Sequence, residues 1–347
     1  MSKKIKYAVV GLGVGRSHCD AAHNSKNAEL FAVCDLKADR LEAAKKKYAG
    51  VLTYESFEEM LKNPEIDIVS ICVPSGLHAE LAVQALEAGK HVLVEKPIDI
   101  TPEKALEIEN ARVKTGLKAG VIHQNRFNAV MAPVKEAVDS GKLGKLFLGN
   151  FAVKWFRDQK YYEANDGWRG TWEMDGGGSL MNQAVHTVDL MQWLMGDVHS
   201  VTSTMGVYNH EIETEDLTVS IVKFKSGAVA SFTSSTCCHP GVSTDIQVYG
   251  TKGSIEVDGD ALKLWKIIGG DAFEENDMLE NYKDGNSAAV ALNPALVLGH
   301  AVQIEDMISA VLEDREPLVM PLEAIKSVRI INAVYESARK GGVEVVL

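Results

Sequence analysis

The segment DGGGSLMNQAVHTVDL, residues 175–190, carries side chains whose types and spacing suit acid–base chemistry. On a helix over residues 180–193, Asn182, His186 and Asp189 would lie at positions i, i+4 and i+7 and share one face. A neutral histidine accepts a proton near pH 7, and an amide can orient a hydroxyl by hydrogen bonding. The spacing therefore predicts a polar face that binds and deprotonates a hydroxyl. The alternatives are a merely solvated face and a core histidine paired with Asp189.

A second group of candidate residues follows the apolar run IKYAVVG at positions 5–11. Gly11, Gly13 and Gly15, with Val14 between the last two, form a G-x-G-x-G turn that is one residue shorter than the usual G-x-G-x-x-G. Such a turn lets the backbone approach a pyrophosphate, which then meets the N–H groups at the start of the next helix. The turn predicts a dinucleotide site.

Asp35 ends the next apolar run, ELFAVCD, about 20 residues further on, where an acidic residue accepts from the ribose hydroxyls of a dinucleotide. Its alternative role is that of a helix N-cap. A carboxylate here repels a 2′-phosphate, so we predict NAD rather than NADP as the cofactor. Lys37 and Arg40 lie close by in sequence and weaken this preference.

Two short motifs follow later apolar runs, at the strand ends where such sheets bind ligands. PSGLH supplies Pro74, Ser75 and His78, and EKP supplies Glu95 and Lys96. A lysine at a strand end that faces the cofactor would be functional. The alternatives are a solvated surface lysine and a serine that only caps the next helix.

The elements that must position these residues change in character near residue 125. Before it, strands at 5–11, 29–35, 66–74, 91–97 and 117–124 alternate with helical segments, which predicts βαβ units and a parallel sheet. After it, a helix at 128–139 precedes turn-punctuated strands between 145 and 265, and helices are expected at about 296–313 and 322–340. We predict an α/β Rossmann-type domain over 1–125 and, over 126–347, an α+β domain with a large open antiparallel sheet. In this prediction the C-terminal helices could also pack against the first domain.

Composition limits the classes of partner. A formal net charge of −12 argues against nucleic acid, which needs a basic surface. No apolar run is long enough to cross a membrane, and five cysteines without framework spacing fit a reducing cytoplasm. Metal is not expected at Cys237, Cys238 and His239, because adjacent strand residues point to opposite faces. The segment from His210 to Asp216 is predicted to be a solvated loop and strand start.

The combination of G-x-G, Asp35, PSGLH, VLVEKP and a GGG segment with N-x-x-x-H-x-x-D resembles the Gfo/Idh/MocA oxidoreductases over the whole chain. The resemblance implies that Lys96 lies near the nicotinamide and the reacting hydroxyl, and that the Lys96–Pro97 peptide is cis. The predicted cofactor contacts are Gly11, Gly13, Val14, Gly15, Asp35, Pro74, Ser75, His78, Glu95, Lys96, Asn125, Trp168 and Arg169.

Hydride transfer from a secondary alcohol needs a base for the hydroxyl proton. We assign His186 as that base, Lys96 as the cation that stabilises the alkoxide or relays the proton, and Asn182 as a hydrogen bonder that orients the hydroxyl. The reverse assignment of His186 and Lys96 stays open. Many family members have Asp at the position of Asn182, so a simple Asp–His dyad is absent at this spacing.

The MNQ-x-x-H form with WRGTW upstream resembles the nucleotide-sugar branch of the family, whose members oxidise the sugar C3 hydroxyl. Trp168, Arg169 and Trp172 suit a sugar site. Arg157 and Arg169 suit a uronate carboxylate or a diphosphate, with Tyr161 and Tyr162 expected to line the cleft. The alternative is an ordinary loop anchored by tryptophans.

The sequence thus predicts an NAD-dependent oxidoreductase acting on a ring secondary hydroxyl, at C3, of a sugar, glycoside or nucleotide sugar. One alternative is a glycoside-cleaving enzyme that oxidises C3 transiently and then eliminates, with Tyr161 or Asp175 as a second base. Another is a non-catalytic NAD-binding regulator. A homodimer or homotetramer through the open sheet is expected.

Overall fold

The structure is a computed structural model that describes residues 4–283 and 299–347. The chain divides into two compact units, Met1–Gln124 with Leu298–Ile325 and Asn125–Val297 with Lys326–Leu347. The first unit therefore includes a C-terminal piece besides the residues before 125. Of the helix predicted at about 296–313, positions 296–298 lie outside the described residues.

The described part of the first unit contains a six-stranded sheet in the order β3-β2-β1-β4-β5-β6. Its strands are β1 (Ile5–Val10), β2 (Ala28–Cys34), β3 (Leu52–Tyr54), β4 (Ile68–Ile71), β5 (His91–Val94) and β6 (Ala119–Val121). All of its pairs are parallel. The carboxyl ends of these strands therefore meet at one edge, where the glycine turn and the EKP motif are placed.

Helices connect these strands, and their ends follow from local sequence. They are α1 (Gly15–Asn24), α2 (Ala38–Lys47), α3 (Phe57–Leu61), α4 (His78–Glu87) and α5 (Pro102–Thr115). In α5 the Thr101 side chain accepts from the Lys104 N–H, Pro102 occupies the first turn, and Gly116 ends the helix at φ +70°. These are the preferred cap residues, because each satisfies or avoids an unpaired backbone group.

The C-terminal piece of the first unit contributes the helix α10 (Gly299–Leu312) to its core. Ile304, Met307 and Ile308 are fully buried in the same apolar cluster as Val9 of β1 and Cys19 of α1. Removing these side chains from water stabilises the unit by about 1.5–3 kcal/mol each. The apolar core of the first unit is thus completed by residues that lie far away in sequence.

The described part of the second unit contains an eight-stranded sheet in the order β13-β12-β11-β7-β10-β9-β8-β14. The strands are β7 (Leu146–Lys154), β8 (Val198–Gly206), β9 (Leu217–Phe224), β10 (Val229–Ser235), β11 (Ser243–Gly250), β12 (Gly253–Asp258), β13 (Ala261–Ile267) and β14 (Val345–Val346). The predicted fold class is confirmed, with one difference of detail. β7 and β10 pair in parallel, because β7 inserts between two later strands of the antiparallel run.

The helices of the second unit are α6 (Met131–Asp139), α7 (Gln159–Glu163), α8 (Val185–Met195) and α9 (Ala272–Tyr282). The helix α11 (Pro321–Arg339) contains the boundary between the units. None of the helices within residues 4–283 and 299–347 combines the length and the apolar character that crossing a membrane requires.

Candidate active site

The glycine turn after β1 fits a dinucleotide. A Cβ on Gly11 (φ +86°) would lie 2.3 Å from the Cys72 carbonyl oxygen, and one on Gly15 would lie 2.9 Å from Cγ1 of Val9, so both positions need glycine for close packing. A Cβ on Gly13 would meet nothing within 4 Å. The space beside Gly13 is therefore open, as the approach of a pyrophosphate to the helix start would require.

Asp35 ties the glycine turn to the start of α2. Its carboxylate accepts from the Leu12 N–H at 2.6 Å, the Lys37 N–H at 2.8 Å and the Arg40 guanidinium at 3.1 Å. Lys37 is the N-cap residue of α2 and no side chain caps that helix, so Asp35 is not its N-cap. The carboxylate therefore links the glycine turn to the start of α2, and the nearby Arg40 compensates part of its charge.

PSGLH forms the turn after β4. Ser75 is buried and begins a short 3-10 turn, and no side chain caps α4, so the capping alternative for Ser75 does not hold. The ring of His78 contacts the carbonyl oxygens of Pro97 at 2.7 Å and Val73 at 2.9 Å. His78 therefore joins the segments that follow β4 and β5.

Glu95 is the centre of a buried hydrogen-bonded network. Its Oε1 lies 2.9 Å from Nε2 of both His18 and His300, and its Oε2 accepts from the Lys96 N–H at 3.0 Å. Nδ1 of His18 lies 2.9 Å from the Ser70 hydroxyl. Burial raises the pKa of Glu95, but the hydrogen bonds from the two histidines lower it well below its usual value. Glu95 is thus a buried anion that holds the backbone of Lys96.

Sequence reasoning missed both histidines of this network. His18 is fully buried, and burial lowers its pKa against the opposing effect of Glu95. Its position three residues after Gly15 was a usable signal, whereas nothing in the sequence near His300 pointed to β5. Lys96 itself is half-buried, and the Lys96–Pro97 peptide is cis.

The GGG segment leads into a π-helical turn, Ser179–Gln183, and α8 begins only at Val185. The prediction of one α-helix over 180–193 is therefore wrong at its start. A Cβ on Gly177 would lie 2.0 Å from the Tyr335 hydroxyl, and one on Gly178 would lie 1.9 Å from the Glu215 carbonyl oxygen. The glycines are needed because this backbone is pressed against neighbouring groups. Single π turns often occur at functional sites.

Asn182 lies in a polar cluster beside Asp175. Its amide donates to the Asp175 carboxylate, which also accepts from the Gly170 N–H at 2.8 Å. The Gln183 amide donates to Oδ1 of Asn182 at 2.8 Å and to the Tyr161 hydroxyl at 2.7 Å. Asp175 thus fixes the amide orientation of Asn182, and Gln183 is a member of the site that sequence reasoning missed.

Two arginines flank Tyr161. The Arg157 guanidinium lies 5.3 Å from the Tyr161 ring and donates to the Gln183 side chain at 2.9 Å. The Arg169 guanidinium lies 4.7 Å from the Tyr161 ring and 5.0 Å from the Trp168 ring. The structure therefore brings the predicted residues Arg157, Tyr161, Trp168, Arg169 and Asn182 together. Trp172 instead anchors its loop, through the Glu213 carbonyl at 3.0 Å.

His186 and Asp189 have different surroundings in α8. Both oxygens of Asp189 accept from Arg126 at 2.6 Å, in a bidentate pair that is almost fully buried. The Asp189 charge is thus matched by Arg126, another residue that sequence reasoning missed. His186 is 7 % exposed in the first turn of α8. Asn125 lies in the 3-10 turn Gln124–Phe127 that precedes α6.

The segment from His210 to Asp216 is a loop, as predicted, with Glu211 and Glu213 exposed, but its two ends are not solvated, because His210 and Asp216 are buried. The His210 ring lies 2.9 Å from the Asp216 carboxylate and 2.8 Å from the Arg157 carbonyl oxygen, which fixes the backbone at Arg157.

Within the described residues, two groups have a spacing that could hold a metal ion: His18 with Glu95 and His300, and His210 with Asp216 and Cys237. Hydrogen bonds account for the close approach of the ring and carboxylate atoms in both. Burial also raises the pKa of the Cys237 thiol to about 12, which disfavours the thiolate that a metal would need.

Two family models match most of the chain. Residues 5–123 match the model of an oxidoreductase family with an NAD-binding Rossmann fold, and residues 131–256 match the model of the GFO/IDH/MocA C-terminal domain. The chain is 28% identical over 269 residues to myo-inositol 2-dehydrogenase from Thermotoga maritima, covering 73% of this chain and 75% of that protein.

Two WlbA dehydrogenases of known structure are similar to this chain over its whole length. The WlbA dehydrogenase from Bordetella pertussis, in complex with NADH and UDP-GlcNAcA, is 31% identical with a TM-score of 0.91, covering 100% of this chain and 99% of that one. The WlbA protein from Chromobacterium violaceum, with the same two ligands, is 34% identical with a TM-score of 0.89, covering 100% of this chain and 97% of that one. This chain therefore belongs to the Gfo/Idh/MocA family of NAD-binding oxidoreductases.

Proposed function

We propose that this protein is an NAD-dependent dehydrogenase that oxidises the C3 hydroxyl of a nucleotide sugar bearing a carboxylate. The observation that carries this proposal is Arg169. Its guanidinium stacks on Tyr161 and Trp168, and among residues 4–283 and 299–347 it has no hydrogen bond or ion pair. A stacked arginine with unused donors suits a planar anion such as a carboxylate.

A second cation lies beside the same ring. Arg157 also flanks Tyr161 and is fixed through Gln183, so two positive charges converge in a protein whose formal net charge is −12. Converging like charges cost free energy unless an anion neutralises them. The UDP-GlcNAcA bound by the two WlbA relatives is an anion of this chemistry and supports the same substrate class here.

The chain's own residues then have distinct tasks. Neutral His186 accepts the hydroxyl proton, and the Lys96 ammonium stabilises the alkoxide that forms. Asn182, held by Asp175, orients the hydroxyl group. Residues of the glycine turn, Asp35 and the strand ends at Pro74 and Lys96 would hold the cofactor. Bound NAD supplies the hydride acceptor, so the alcohol becomes a ketone with release of one proton.

Elimination after oxidation is less well supported. It needs a further base, for which Tyr161 and Asp175 were the candidates. Both oxygens of Asp175 accept hydrogen bonds, and the residue is 1 % exposed. Burial raises the pKa of the Tyr161 phenol, although Arg169 opposes the shift. Neither group is placed as a ready base, which favours simple oxidation.

We also propose a homodimer or homotetramer that associates through the open face of the sheet in the second unit. Val219 and Ile221 of β9 are 45% and 53% exposed on that face, in the interior of the sheet. A cytoplasmic setting, where the cysteines of the described residues stay free thiols, completes the proposal.

A turnover assay tests the proposed function. Purified protein is incubated with NAD and UDP-GlcNAcA, UDP-GlcNAc, free sugars or glycosides, while NADH absorbance and product masses are followed. We expect NADH with the uronate and a product lighter by two hydrogens. Released aglycone would instead support elimination, and NAD binding without any turnover would support a regulator.

Two variants test the residue roles. Lys96→Ala and His186→Ala should each lower kcat by about 100-fold or more, since general acid–base groups contribute that much, while NAD binding persists. Lys114→Ala and His199→Ala, at exposed positions, serve as matched controls. A wild-type rate in either site variant would remove that residue from the mechanism. The pH–rate profiles of the two variants also distinguish the two base assignments, because replacing the base removes the limb of the profile that its titration produces.

A further inference from the structure

Glu215 is a buried carboxylate that accepts hydrogen bonds from the start of the π-helical turn. Its Oε2 accepts from the Gly178 N–H at 2.7 Å, and its Oε1 accepts from the Leu180 N–H at 2.7 Å and from the Ser179 hydroxyl at 3.3 Å. The Glu215 carbonyl oxygen accepts from the Ser179 N–H at 3.0 Å. One residue therefore satisfies the N–H groups of three consecutive residues at the head of the turn.

Tyr335 of α11 completes this arrangement. Its hydroxyl donates to Oε1 of Glu215 at 3.2 Å and accepts from the Met181 N–H at 3.2 Å. The glycines bring the backbone this close, since a Cβ on Gly177 would collide with the Tyr335 hydroxyl. The turn that carries Asn182 and leads to His186 is thus held by two side chains distant in sequence.

The chemistry of the contact requires a carboxylate. Each group that faces the two oxygens is a donor, and no basic side chain of residues 4–283 or 299–347 pairs with Glu215. Helix starts carry unpaired N–H groups and partial positive charge, which an anion stabilises. Burial raises the pKa of Glu215, and the N–H groups of Leu180 and Gly178 oppose that shift. Burying a carboxylate costs free energy, but a neutral amide would not offer these donors two acceptor oxygens.

We propose that Glu215, together with Tyr335, is a positioning residue that sets the π-helical turn and thereby the orientation of Asn182 and His186 toward the reacting hydroxyl. The inference rests on the proposed function, which gives those two residues their roles. It predicts that disturbing the carboxylate lowers the rate of the chemical step while cofactor binding stays unchanged.

The test compares Glu215→Gln and Tyr335→Phe with wild type at saturating NAD and UDP-GlcNAcA. Glutamine keeps one of the two acceptor oxygens and replaces the other with a donor N–H₂ group. One backbone N–H of the turn therefore loses its acceptor. We expect kcat to fall by about tenfold to a hundredfold, because small displacements of reacting groups cost rates of this order. The dissociation constant for NAD should stay within about twofold of wild type, and the double variant should be no slower than the slower single variant, because both act on one turn.

Matched variants control for the loss of a buried carboxylate and of a phenol. Glu109→Gln removes a buried carboxylate that pairs with Arg112, and Tyr249→Phe removes a hydroxyl that contacts Glu256. Both should keep wild-type kcat. A folded Glu215→Gln protein with kcat within twofold of wild type would overturn the inference, as would rate losses in the two controls equal to those in the site variants. If Glu215→Gln does not fold, Tyr335→Phe alone decides by the same criterion.

Amide exchange separates this inference from the proposed function. If wild type turns over none of the sugars, the proposed function fails, but exchange of the amides of residues 178–183 still reports on the turn. Faster exchange there in Glu215→Gln and Tyr335→Phe, with unchanged exchange in Glu109→Gln, supports the positioning role. Unchanged exchange in both site variants removes it.

Discussion

The guanidinium of Arg169 lies against two aromatic rings and has no protein acceptor within the described residues. An arginine in this state has already lost much of its side-chain freedom, so a carboxylate that binds it costs little further ordering. Arg157 differs, because its guanidinium is also bound to the Gln183 side chain and the Phe156 carbonyl oxygen. At the scale of single residues, we therefore expect Arg169 to distinguish substrates that carry a carboxylate from those that do not.

Arg169→Lys tests this idea, because lysine keeps the charge but loses the planar fork and the stack. We expect KM for UDP-GlcNAcA to rise about tenfold or more, the value of one hydrogen bond to a charged group. KM for UDP-GlcNAc, which lacks the carboxylate, should change much less. Steady-state kinetics with both substrates measures the ratio. Equal increases for both would indicate that Arg169 binds the diphosphate. Arg315→Lys, at a half-exposed arginine that pairs with Glu313, controls for the exchange itself.

Asp189 shows how much a residue pattern can and cannot indicate. The spacing predicted one helix for Asn182, His186 and Asp189, and only the last two lie on α8. The carboxylate of Asp189 is bound by Arg126, 63 positions earlier in the chain. Periodicity identifies a helix face; it does not identify the side chain that another element brings to that face. The same limit explains why the contact of His300 with Glu95, 205 positions away in the chain, was not predicted.

At the scale of elements, the π-helical turn differs from an ordinary helix start because contacts from outside define it. Gly178 has φ −108° and ψ −102° and lies against Glu215. Gly13, in the other glycine segment, has open space around its Cα. Two glycines that look equivalent in sequence therefore have different surroundings: Gly178 is packed against the backbone of Glu215, whereas the space beside Gly13 is open.

Alanine at each glycine should separate these functions. In Gly178→Ala the new Cβ would lie 1.9 Å from a backbone oxygen, so the turn must move. We expect a loss of about 1–3 kcal/mol in the free energy of unfolding, as for other overpacked sites, and a lower kcat. Gly13→Ala should leave the stability nearly unchanged but weaken NAD binding. Denaturant unfolding and NAD titration measure both effects, and a stable Gly178→Ala protein with full activity would contradict the expectation.

The elements themselves could largely be predicted from the sequence, because apolar runs of period two and helical stretches with caps are local signals. Five of the six strands of the parallel sheet, and helix α6, appear close to where those signals placed them, whereas the short strand β3 was not predicted. The parallel β7–β10 pair and the π turn could not be predicted. Both depend on which distant segments meet: β11 and β10 on either side of β7, and Glu215 and Tyr335 at the turn.

At the scale of the whole molecule, the open face of the second unit's sheet carries apolar side chains in its interior. Val219 and Ile221 of β9 alternate with buried Thr218 and Ser220, so one face of this strand points inward and the other is exposed. The formal net charge of −12 keeps most of the surface hydrated. An apolar strand surface in the middle of a sheet, away from its edges, is the kind of area that a second copy covers.

A charge at the centre of this face should therefore dissociate the proposed oligomer. Ile221→Glu would place a carboxylate in an apolar interface and, in a symmetric dimer, set two copies of it against each other. We expect the mass measured by light scattering after size-exclusion chromatography to fall from that of a dimer or tetramer toward one chain of 37.7 kDa.

Val113→Glu, at a residue 66% exposed in α5, introduces the same charge elsewhere and should leave the mass unchanged. A wild-type protein that elutes as a monomer would contradict the proposed assembly, and an Ile221→Glu protein that keeps the wild-type mass would place the interface on another surface. Because Ile221 is exposed and belongs to neither the polar cluster nor the π-helical turn, the variant should stay folded, so a change in mass reports on association.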